Sequence, residues 1–133
     1  MGTTFVADAV ASLEKANADL EPELLSVQDA RKQLAGYARV KKLAAFGEAM
    51  LARRLDDAQA VARVTGTSVG KAKSVVETGK ALGDADEVRA AFQGGDISLD
   101  QAAEIARAEV ARPGSAAGLL TEVNKESFGV LRD

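Results

Sequence analysis

There is no cysteine, no histidine and no tryptophan in this sequence. The first absence excludes disulfides and thiol nucleophiles. Together with the second it excludes zinc sites built from Cys and His, and imidazole acid–base chemistry. Proline occurs twice, and the aromatic residues are four Phe and one Tyr. No apolar run approaches the roughly 20 residues that a membrane-spanning helix requires. The N-terminus lacks the basic-then-apolar pattern of a secretory signal. These absences predict a soluble, cytoplasmic chain with no membrane partner.

What remains is helix-forming. Hydrophobic residues make up 47% of the 133 and aromatics only 4%, so the core must be built from Ala, Val and Leu. Apolar residues recur at spacings of three and four in nearly every segment, and no stretch alternates as a strand would. The expected fold is all-α: a multi-helix bundle with a long second helix and an embedded helix-turn-helix. The length suits one domain, 1–133.

Within it, 3–55 reads as a long helical hairpin. Phe5, Ala9, Leu13, Ala16 and Leu20 form one stripe. Pro22 breaks the helix, and Ser26 with Asp29 begins the next in the manner of a capping box. Val27, Ala30, Leu34, Tyr37, Val40, Ala44, Gly47 and Leu51 continue the periodicity to about Leu55. Leu43, Phe46 and Met50 add a second stripe. So wide a face can be buried on two sides, against the first helix and against later helices or a second copy. The small residues Ala35, Gly36, Ala45 and Gly47 would permit close backbone approach. A homodimer through the first two helices and a compact monomer both fit.

Residues 57–82, DAQAVARVTGTSVGKAKSVVETGKAL, organise the rest. One apolar-periodic run ends at Thr65-Gly66. A second begins at Val69 after a short polar turn. Two helices joined by such a turn, with Gly66 free to take positive φ and Thr67 or Ser68 able to cap the second helix, match a helix-turn-helix. Ala62 is small enough for a close crossing. An ordinary αα-hairpin fits the same pattern. Charge adds to the first reading. Net charge is −3, yet between Arg31 and Lys80 eleven Lys/Arg face four Asp/Glu, a local +7, while the remainder carries −10. A basic middle is the footprint of a polyanion partner.

Residues 84–133 read as smaller helices. Gly83 ends one helix and Asp84 caps the next, which carries Val88, Ala91 and Phe92 and stops at Gly94-Gly95. Ser98 and Gln101 form a capping box for a helix with Leu99, Ala102, Ile105 and Val110. Arg112-Pro113-Gly114 ends it. A further helix is expected from Ser115 to about Lys125, and Ser127 caps a last short segment. That segment is expected to belong to a longer protein.

Residues 88–107, VRAAFQGGDISLDQAAEIAR, resemble part of a helical "domain of unknown function" that precedes HNH endonuclease domains in actinobacterial and phage proteins. There a small helix is followed by G-x-I-S and A-x-x-I-A. The run from Thr65 to Val76, the segment through Gly79–Leu82, and 119–132 are similar too. The stretch from Gly66 to Ile105 also resembles the helix-turn-helix part of ParB-type partition proteins. The linker 55–58 is shorter than the family's. HNH chemistry needs histidines, and none is present.

The resemblance implies a non-catalytic DNA-binding module that targets a C-terminal nuclease or other domain to double-stranded DNA. The expected contacts are Arg63, Thr67, Ser68, Gly70, Lys71, Lys73 and Ser74, with Arg39 and Lys42 on the long helix as a neighbouring basic patch. Ser68 and the free amides of the second helix suit a phosphate. No Arg, Asn or Gln on this face reads bases, and Glu77 opposes phosphate, so binding should be weak, salt-sensitive and poorly specific. The alternative is a dimerisation or protein-docking scaffold. Catalysis has little support. Asp56, Asp57, Asp84, Asp86 and Glu87 are better read as caps and dipole partners, and Asp96 with Asp100 lacks the ligand count of a calcium loop. No metal and no cofactor is expected.

Overall fold

The computed structural model describes residues 2–83, 85–115 and 117–122. Among these the regular structure is entirely helical. The helices are α1 (Gly2–Asp19), a 3-10 turn (Pro22–Leu24), α2 (Val27–Leu55), α3 (Ala58–Thr65), α4 (Val69–Leu82), α5 (Asp86–Gln93) and α6 (Leu99–Ala111). Residues 117–122 are helical as well. None of these helices is long and apolar enough to cross a membrane. The chain divides into two compact units, Met1–Gly36 and Tyr37–Asp133.

The first unit holds α1, the 3-10 turn and the start of α2. Pro22 stands at the head of the turn, where its missing N–H costs nothing. Ser26 Oγ accepts a hydrogen bond from the Asp29 amide at 3.0 Å, starting α2 where the sequence predicts. The stripe on α1 is not buried. Leu13 is half-buried, while Phe5, Val6 and Val10 are exposed. The first turn of α1 has no acidic residue and its last turn no basic one, so its dipole is uncompensated.

The second unit is organised around α4. Ala72, Val75, Val76, Thr78, Gly79 and Leu82 are its buried residues, and it packs on α3 and α6. From α2 come Ala45, Ala49 and Ala52, from α5 Val88 and Phe92, and from α6 Ala102, Ile105 and Ala106. The largest fully buried side chains are Phe92, Leu82, Ile97, Ile105 and Val88. Phe46 of α2 meets Phe92 edge-to-face at 5.5 Å between ring centroids, with an interplanar angle of 84°. That geometry sets the positive ring edge on the negative face. Among the described residues the buried polar side chain is Thr78, whose hydroxyl donates to the Ser74 carbonyl at 2.8 Å.

The site of closest backbone approach differs from the expected one. Gly36 and Gly47 meet nothing within 4 Å, whereas Gly79 lies directly on α2. A Cβ there would run into the Ala49 carbonyl oxygen and stand 3.1 Å from Arg53 Cβ. Periodicity shows which face of α4 is apolar but not where along that face the helices cross.

The capping box on α6 is complete: the Gln101 amide donates to Ser98 Oγ at 3.1 Å, and the Ser98 amide to Gln101 Oε1 at 2.9 Å. After α6 the chain turns at Pro113-Gly114, where Glu109 accepts from the Gly114 amide at 2.7 Å. The expected cap at Asp84, the end of the helix towards Lys125, and the segment from Ser127 lie outside the described residues.

Candidate nucleic-acid interface

Asp57 caps α3 by accepting from the amides of Gln59 at 3.1 Å and Ala60 at 3.2 Å. The helix ends at Gly66, whose φ of 74° is left-handed and whose amide returns to the Ala62 carbonyl at 2.8 Å. A side chain at that φ would be strained. Thr67 and Ser68 complete the turn. The Thr67 hydroxyl pairs with that of Thr65 at 2.9 Å. Ser68 Oγ accepts from the Lys71 amide at 3.1 Å, which makes it the N-cap of α4. The Ser68 hydroxyl expected at a phosphate and the Thr67 hydroxyl expected among the DNA contacts thus already have work in shaping the turn. The first amides of α4, at Val69 and Gly70, precede that capped position, and Gly70 is exposed with no neighbour within 4 Å of where its Cβ would be.

Lys71 and Lys73 do not share a face. At about 100° per residue, two positions apart places them on nearly opposite sides of a helix. Lys71 lines a groove with Lys41 and Lys42 of α2 and with Ser98 and Asp100 at the start of α6. Glu48 lies on the same wall. Lys73 is exposed on the outer side of α4, one turn before Glu77. Ser74 is half-buried and borders a different groove, with Arg107 and Val110 of α6. Arg63 is exposed on α3.

Arg39 has a local partner. Its guanidinium donates to the Gly94 carbonyl at 3.0 Å and so satisfies the end of α5. The expected pairing of Lys42 with the first turn of α4 is present, joined by Lys41, which the sequence reading did not select. Its signal was available, since it is adjacent to Lys42 in the same carboxylate-free run. Among the described residues the ion pair found is Lys80 with Asp56, at 2.6 Å and more than half exposed. It fastens α4 to the linker before α3. Lys41, Lys42 and Lys71 are not part of it.

No protein-family model, no curated protein and no solved structure matches this chain.

Proposed function

We propose that this chain is a non-catalytic module that binds duplex DNA, with α3 and α4 acting as a helix-turn-helix. The observation that carries the reading is the groove that Lys41, Lys42 and Lys71 line beside the first turn of α4. Three ammonium groups there would neutralise phosphates and release counterions. Open amides at the start of α4 would add to the attraction. Gly70 lets a phosphodiester approach the backbone without meeting a side chain. The resemblance to segments preceding HNH nucleases supports the same role, that of delivering a catalytic domain to DNA.

The carboxylates limit affinity. Glu48 and Asp100 share the groove, and Glu77 follows Lys73. Binding is therefore weak and owes little to base sequence. Three phosphate contacts give a slope near −0.9 per contact in log–log salt dependence, so affinity falls roughly 40-fold between 50 and 200 mM salt. Fluorescence anisotropy with a labelled duplex measures this. Charge reversal at Lys41, Lys42 and Lys71 should abolish most of the slope, while Lys73→Glu should change it by about one contact at most. A salt-independent affinity, or an equal effect from Lys73→Glu alone, rejects the reading.

A second reading, a dimerisation or docking scaffold, is favoured by the open apolar stripe on α1.

A further inference from the structure

Apolar residues of the first unit fall in a repeating order. Val6, Ala9, Leu13, Ala16 and Leu20 on α1, then Val27, Ala30 and Leu34 on α2, recur at alternating spacings of three and four. That is the seam by which one helix packs on another. Alanines at alternate positions allow close approach. Yet Phe5, Val6, Val10, Leu24, Val27 and Leu34 are between 52% and 79% exposed.

We infer that a second copy of this chain covers this face, so that the protein is a homodimer through α1 and the start of α2. The inference is independent of DNA binding.

Area is the first argument. At roughly 60–120 Å² of apolar surface for each such side chain, these six leave on the order of 400 Å² open, and Ala9, Ala16 and Leu20 widen the patch. One partner in a standard interface contributes about 800 Å².

Charge is the second. Asp8, Glu14, Asp19, Glu21 and Glu23 accompany α1 and its turn with only Lys15 among them, while on α2 Arg31 and Lys32 follow Asp29. In a two-fold pairing each contact occurs twice with roles exchanged. A pairing that sets α1 of one copy along the start of α2 of the other would bring carboxylates to cations at both ends. An acidic polar face also repels anionic lipid, which basic amphipathic helices attract.

The third argument is stability. In proteins most helical stability comes from packing an amphipathic face rather than from the helix alone, and α1 has an open apolar face with no compensating charge at either end. Its cover must be present whenever the chain is, and a second copy always is.

Sedimentation equilibrium of the full chain tests this. Twice the chain mass is expected at tens of micromolar. Val6→Asp with Leu34→Asp should raise the dissociation constant at least a hundredfold, while Val64→Asp on α3 leaves it unchanged. Because those changes also loosen α1, a second measurement uses a chain with its apolar face intact. A nitroxide on Ser12→Cys, unique because the chain has no cysteine, should give an intermolecular dipolar distance. A single-chain mass without a dipolar signal overturns the inference. So does a dimer indifferent to the paired substitutions, or a monomer that floats with phosphatidylcholine vesicles.

Discussion

Gly79 of α4 rests on the carbonyl of Ala49 in α2, and a Cβ at that position would collide with the oxygen. Ordinarily Gly→Ala inside a helix gains up to about 1 kcal/mol. Here overpacking outweighs the gain, and Gly79→Ala should lose about 1–3 kcal/mol. Gly70→Ala, with open space around it, should gain stability instead. Urea denaturation of the two variants should shift the midpoint in opposite directions. Shifts of the same sign would mean that the helices do not cross at Gly79.

Phe92 is fully buried and meets Phe46, which is half-buried. Phe92→Ala should cost about 3–5 kcal/mol, comparable with the whole stability of many domains. Phe46→Ala should cost less, because part of its ring already faces water. Thermal unfolding followed by circular dichroism ranks the two.

Ser68 separates folding from binding. Asp caps a helix about as well as Ser, so Ser68→Asp should keep stability within about 0.5 kcal/mol. The added negative charge lies at the first turn of α4, so duplex affinity should fall several-fold. Ser68→Ala should do the reverse, losing about 1 kcal/mol of stability with a smaller effect on DNA. Equal loss of binding in both variants would make the hydroxyl itself a phosphate ligand.

Arg39 holds Gly94, so it belongs to the fold before it belongs to any interface. Arg39→Gln should cost about 0.5–1.5 kcal/mol, the net value of one hydrogen bond. Its effect on the salt slope should be smaller than that of Lys42→Gln. An anisotropy titration in which Arg39→Gln is the more damaging would return Arg39 to the interface.

The Lys80–Asp56 pair is exposed on both sides. Lys80→Ala should change stability by less than about 1 kcal/mol, and the difference should shrink as salt screens the pair. A larger, salt-resistant loss would show that the linker before α3 depends on this contact.

Local chemistry was legible in advance wherever the partners are close in the chain. The cap at Asp57, the left-handed Gly66, the cap at Ser68 and the reciprocal bonds of Ser98 with Gln101 all join residues within four positions of one another. The candidate site was legible only in part. Lys42 beside Lys71 was expected. Lys41, next to Lys42 in the same run, was just as legible, whereas the bond between Arg39 and Gly94 joins residues far apart in sequence. Lys71 and Lys73 were grouped because they are neighbours in the chain, but helical rotation alone sends them to different sides.

Period, capping residues and the missing strand pattern were enough to determine an all-helical chain, because each is a local property of a few consecutive residues. Which lysines line one groove, which glycine marks the helix crossing, and which apolar stripe is left open depend on distances between segments. Those distances are set by how α4 seats among α2, α3 and α6, where side-chain volumes from remote parts of the chain have to fit together.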